Sequence, residues 1–271
     1  MWRMIGLAAG AGCLAALISG AAAQALDPDF SHSKVKLLEG EFRNGAWSAG
    51  IEIELADGWK TYWRMPGESG VPPEFDWSGS SNLQAVELRW PAPRRYHDEA
   101  GETIGYAGRV VFPLTVRPVD AAQPVELSLD LQYAVCKDIC IPARAEVREV
   151  LADGGISPAG AGLIGRFEAL VPRPEAVGLA VTDVRLMQDE DGPRLSVALS
   201  GAAVDEATDI FVEGFDAAYF RAPRPAGQKG GAQLFELPID GLTDAAAFKG
   251  RKLTLTVVTG RARLVREATV Q

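Results

Sequence analysis

The chain has 271 residues, 47% hydrophobic and 8% aromatic, with 27 basic against 36 acidic side chains and a net charge of −9. That surplus of acid argues against nucleic acid and anionic lipid as partners, and the length fits one large or two ordinary domains. With two histidines and three cysteines in all, a structural zinc site, which takes about four ligands, is not expected.

In chain order, the first segment reads MWRMIGLAAGAGCLAALISGAAAQA. One early cation, Arg3, precedes an apolar run from Met4 to Ile18. Small residues follow, and both Ala21-Ala22-Ala23 and Ala23-Gln24-Ala25 fit an A-x-A cleavage site. This is the layout of a cleavable secretory signal peptide over residues 1–25. The run is shorter than the about 20 residues of a membrane-spanning helix. Cys13 leaves with it; Gly10 is not the large aliphatic residue that lipidation at Cys13 would require. The mature chain then keeps Cys136 and Cys140 as its only thiols, has no transmembrane segment, and enters a compartment where disulfides form.

The next signal is alternation with period two, the mark of half-buried strands. Ile51, Ile53 and Leu55 share one face, with Glu52 and Glu54 on the other. Val86, Leu88 and Trp90 repeat the pattern, as do Val110, Phe112, Leu114 and Val116. The cleanest case places Val125, Leu127, Leu129, Leu131 and Tyr133 inward, with Glu126, Ser128, Asp130 and Gln132 outward. Strands at this spacing, separated by Gly and Pro turns, predict a β-sandwich over residues 26–153. Between 154 and 175 the alternation breaks. Ser157 ahead of Pro158 is an N-cap and first-turn pair, and Pro172 and Pro174 end the segment, which predicts a short helix and a linker. Strands resume over 176–271, with a hairpin turn at Asp189-Glu190-Asp191-Gly192 and strands in TDIFVEGF, AQLFELPI and KLTLTVV. The fold class is therefore all-β, two sandwiches in series. The second half carries no cysteine, histidine or Gly-rich phosphate loop.

Cys136 and Cys140 sit in LQYAVCKDICIPARAEV. If the alternation from Val125 continues, Cys136 points outward, Lys137-Asp138-Ile139 form a turn, and a return strand begins near Ala145 and Val147. A sulfur at a hairpin tip is within reach of another protein's thiol. Three readings of the pair stay open. As a staple, a loop this short contributes about 2 kcal/mol, against about 4 for a cross-link spanning most of a domain. As a redox pair, the short spacing keeps the sulfurs close in the reduced form too. As a metal site, two thiolates suit a soft ion such as Cu(I). Lys137 lowers a neighbouring thiol pKa and Asp138 raises it, so local charge does not select one sulfur.

Three stretches taken together resemble a known family: GWKTYWRMPGESGVPPEFDW (Gly58 to Trp77), LRWPAPRRYHDEAGETIGYAGRVVFPLTV (Leu88 to Val116) and YAVCKDICIP (Tyr133 to Pro142). They are similar to the periplasmic N-terminal domain of DsbD-type thiol:disulfide interchange proteins, in the ScsB-like branch linked to copper tolerance. The resemblance covers residues 33–151 most strongly, and the second β domain fits that branch. It implies an immunoglobulin-like fold for each sandwich and a periplasmic location. It also implies a role passing electrons from a separate membrane-embedded reductase to periplasmic thioredoxin-fold proteins, with no cofactor. Cys140 matches the cysteine that forms the mixed disulfide with partners, and Cys136 the resolving one. Asp98 and Glu99 match acidic residues of a loop covering the cysteines and are candidate proton acceptors.

Three features depart from the family pattern. The spacing here is CxxxC rather than a longer one. Ala100 and Gly101 stand where aromatic side chains would shield the pair. The chain ends at Gln271 with neither a membrane segment nor a thioredoxin domain, so the reductant is expected to be a separate protein. Among the other conspicuous residues, core filling accounts for most of Trp59, Tyr62, Trp63, Trp77 and Trp90. Tyr62 and Trp63 are also candidates to border the cysteine site, as is His97 beside Asp98.

Overall fold

Period-two alternation resolves into antiparallel sheets packed face to face. The computed structural model describes residues 32–68, 70–98, 101–152, 158–190, 192–215, 218–242 and 248–271; the expected signal peptide, 1–25, lies outside them.

The first half consists of β1 (Ser33–Arg43), β2 (Ala46–Leu55), β3 (Lys60–Gly67), β4 (Glu74–Asp76), β5 (Leu83–Leu88), β6 (Arg94–Asp98), β7 (Gly101–Ala107), β8 (Arg109–Pro118), β9 (Val125–Cys136) and β10 (Cys140–Leu151). One sheet has the order β1-β2-β8-β5. The other runs β10-β9-β3-β7-β6, with β4 also paired to β9. The inward positions read from the sequence meet between the sheets: Ile51, Ile53, Val110, Phe112 and Leu114 pack with Leu127, Leu129, Leu131 and Tyr133 in one core. Phe112 sits at its centre, its ring 5.1 Å from Trp90 and 5.4 Å from Tyr106 in edge contacts. Fully burying a side chain of this kind is worth about 1.5–3 kcal/mol.

A helix, α1 (Pro158–Glu168), follows within the stretch where the alternation broke; Ser157, its expected cap, is outside the described residues. Its buried Ile164 rests on β2 at Gly50, where a Cβ would come within 3.0 Å of the Ile164 side chain. Arg89 ties the helix end down through Glu168 at 2.8 Å.

The second half consists of β11 (Ala180–Asp189), β12 (Gly192–Ser200), β13 (Asp209–Glu213), β14 (Tyr219–Phe220), β15 (Arg224–Lys229), β16 (Ala232–Asp240), β17 (Lys252–Val258) and β18 (Arg263–Thr269). One sheet has the order β11-β12-β16-β14, with β15 also on β16; the other is β13-β17-β18. The expected hairpin is present, Asp189 opposite Gly192. Leu195, Val197, Leu199, Leu237, Leu255 and Val257 form a second core. Phe211 of β13, however, belongs to the first core, so the two sandwiches share apolar contact. Among the described residues no helix is long and apolar enough to cross a membrane.

Candidate functional site

The cysteines close the β9–β10 hairpin. The two strands stay in register without a break from Leu151 opposite Val125 to Cys140 opposite Cys136. Their Cα atoms are 4.2 Å apart and the sulfurs form a disulfide. This narrow spacing marks a non-hydrogen-bonded antiparallel pair, the position at which facing side chains come closest. Lys137-Asp138-Ile139 make the turn, with the Lys137 N–H donating to the Ile139 carbonyl at 3.3 Å. The return strand thus begins at Cys140 itself, earlier than expected.

The two sulfur-bearing residues differ in access. Cys140 is exposed, whereas Cys136 is only 2% exposed. The expected outward direction of Cys136 holds in one sense: Val135 joins the main core, while Ala134 and Cys136 lie on the opposite face. That face is not open, because the Tyr62 side chain covers both residues in a small cluster of its own.

Tyr62 reaches this position because β3 breaks from its neighbour. Lys60 and Thr61 pair with Cys136 and Val135. There the β3–β9 ladder stops, and β9 is next paired by β4, with Glu74 opposite Gln132. The carbonyl of Ala134, left beyond the end of the ladder, accepts instead from the Thr61 hydroxyl at 2.9 Å. Thr61→Val keeps the shape and removes that donor; the expected loss is about 1 kcal/mol of stability, read from urea unfolding. Opposite Tyr62 on β7 stands Gly105, which has no side chain to compete for space. Gly70 closes over the ring, where a Cβ would lie 2.7 Å from Tyr62 Cδ1. The phenol oxygen then sits 2.9 Å from Cys140 Sγ. A disulfide sulfur carries no hydrogen, so the phenol O–H is the donor.

The other expected site residues fall elsewhere. Trp63, next after Tyr62, points to the opposite face and is 1% exposed in the main core, so it does not border the cysteines. His97 is exposed on β6, its Nδ1 3.5 Å from Glu102. It pairs with Glu102, whereas Ala107 of the same strand β7 stands opposite Lys60, which faces Cys136. Five residues of strand, about 17 Å at 3.3–3.4 Å each, separate those two positions of β7. Asp98 ends β6 opposite Gly101, one residue further along; Glu99 lies outside the described residues. Two contributors were not foreseen. Lys60, opposite Cys136, places its ammonium 5.4 Å from the Tyr96 ring centre. Ile139, beside Cys140 in the turn, is an apolar side chain left 67% exposed. Among the described residues no three His, Cys, Asp or Glu side chains are grouped so as to hold a metal ion.

The described geometry is an antiparallel sandwich with a disulfide across the end of one hairpin. Residues 34–152 match the family described as thiol:disulfide interchange protein DsbD, N-terminal. The matched stretch coincides with the first sandwich. The fold also matches the crystal structure of the N-terminal periplasmic domain of ScsB from Proteus mirabilis, with a TM-score of 0.71 and 24% identity over 90% of this chain and 95% of that one. That span takes in the second sandwich as well as the first. Among curated proteins, none matches the chain significantly.

Proposed function

We propose that this protein is a periplasmic thiol–disulfide exchange protein that relays electrons from a membrane-embedded or thioredoxin-like reductant to thioredoxin-fold partners. The observation that carries the reading is the asymmetry of the pair, an exposed Cys140 bonded to a buried Cys136. In the reduced protein the Cys140 thiolate attacks a partner disulfide, forming an intermolecular S–S bond and releasing one partner thiolate. The Cys136 thiolate then attacks Cys140 Sγ, which forms the internal disulfide and releases the second partner thiolate. Two electrons pass to the partner, and the two protons lost by the cysteines end on its thiols. Tyr62 supports the first step by donating to the Cys140 sulfur, since a hydrogen bond to the charged form favours the thiolate.

The test mixes fully reduced protein with an oxidised thioredoxin-fold protein and follows the partner's reduction. Transfer faster than that from a small dithiol at equal concentration supports the proposal. Exchange no faster than the small dithiol overturns it, as does tight stoichiometric Cu(I) binding by a reduced protein that exchanges negligibly.

A further inference from the structure

Tyr62, Trp63 and Arg64 are consecutive on β3, and they face three different environments. Between Tyr62 and Gly67 the register of β3 against β7 shifts, with four residues of β3 facing a single residue of β7. Backbone pairing with β7 therefore ends at Tyr62, the residue whose side chain touches Cys140, and does not hold the stretch just after it. The second sandwich grips it instead. Phe211 of β13 meets Trp63 edge-on, ring centres 5.7 Å apart. Two residues along the same strand, Glu213 takes the Arg64 guanidinium in a two-pronged ion pair, 2.7 and 2.8 Å. The same guanidinium lies 4.4 Å above the Trp63 ring. Planar two-bond pairs of this kind fix direction as well as distance.

We propose that β13 of the second sandwich is a positioning element for the Cys140 sulfur, with Phe211 and Glu213 fixing Trp63 and Arg64 and thereby aiming Tyr62. This rests on reading Cys140 as the reacting sulfur, and it gives the cysteine-free half a part in the chemistry. Tyr62 touches the sulfur; Phe211 and Glu213 act through it and are positioning residues.

The experiment measures alkylation of reduced Cys140 by iodoacetamide against pH in the full chain, localised by mass spectrometry of the Cys140 peptide. Tyr62→Phe is expected to move the thiolate titration to higher pH and slow the neutral-pH reaction about ten-fold, the scale of one hydrogen bond to a charged group. Glu213→Gln, which keeps the shape but removes the charge, is expected to reproduce part of this, about three-fold. Placed on top of Tyr62→Phe it adds nothing. Phe211→Leu gives a second, uncharged probe with the same expected pattern. The inference is overturned if Tyr62→Phe leaves the profile unchanged. It is equally overturned if Glu213→Gln and Phe211→Leu both leave it unchanged, or slow the Tyr62→Phe protein as much as the parent. Failure of the relay reading shows separately, in the partner assay, because alkylation needs no partner.

Discussion

Cys140→Ser is expected to abolish electron transfer to a thioredoxin-fold partner, whereas Cys136→Ser is expected to leave the first step intact and trap the partner as a mixed disulfide. This asymmetry follows from access. A partner disulfide has to approach the attacking sulfur in line with its S–S bond, and Cys140 is exposed whereas Cys136, 2% exposed under Tyr62, is not. The resolving step has the opposite requirement. It is intramolecular, and it needs only that Cys136 stay opposite Cys140, which the unbroken β9–β10 register ensures. Non-reducing electrophoresis after mixing with oxidised partner checks both halves: a covalent adduct with Cys136→Ser, none with Cys140→Ser. Equal adducts from both variants would remove the case for distinct roles. Neither substitution should unfold the protein, because a loop this short contributes only about 2 kcal/mol through its disulfide.

The sandwiches were legible because each strand carries its own record of burial. Val125, Leu127, Leu129, Leu131 and Tyr133 alternate so regularly that the face of every residue up to Val135 could be assigned before any fold was known. The same counting put Cys136 on the outer face. It could not reveal that Tyr62 covers that face, because the two residues are 74 positions apart and the contact depends on β3 leaving β9 after Thr61. Trp63 shows the limit from the other side. Next to a site residue in sequence, it faces away from the site in the fold, since neighbours on a strand point to opposite faces. Asp98 and Glu99 came from matching a family pattern rather than from strand periodicity, and the β6–β7 register that carries Asp98 is a long-range property. The union of the halves was equally illegible. Nothing in the local pattern of Arg95 or Glu102 says that their partners lie more than a hundred residues downstream.

Those partners make Arg95→Met the substitution with the largest expected cost to stability. Arg95, its side chain 5% exposed, pairs with Asp209 at 3.1 Å and also with Glu102, itself 4% exposed. It donates to the Ile210 carbonyl at 3.1 Å and stacks 5.0 Å over Phe211. The Tyr219 hydroxyl donates to the same Glu102. Burial works against the charged guanidinium and lowers its pKa. Asp209 foremost, then Glu102, outweigh it and hold the Arg95 pKa above its ordinary value. Burial, reinforced by the Glu102 carboxylate, likewise pushes the Tyr219 phenol up, so it stays a donor. With Arg95 replaced by methionine, Glu102 remains a buried carboxylate without its cation, and breaking such a pair costs about 3–5 kcal/mol. Arg95→Met with Glu102→Met should recover part of that loss, because the buried Glu102 charge is removed with its cation, while Asp209, with its side chain 24% exposed, keeps contact with water. Urea unfolding of the two variants decides it. A single substitution costing under about 1 kcal/mol, or a double one as damaged as the single, would mean that water reaches the network and the ions do not hold the sandwiches together. If the expected order is found, the junction that steadies Trp63 and Arg64 is itself held by charge, and loosening it should also split the unfolding into two transitions, one for each core.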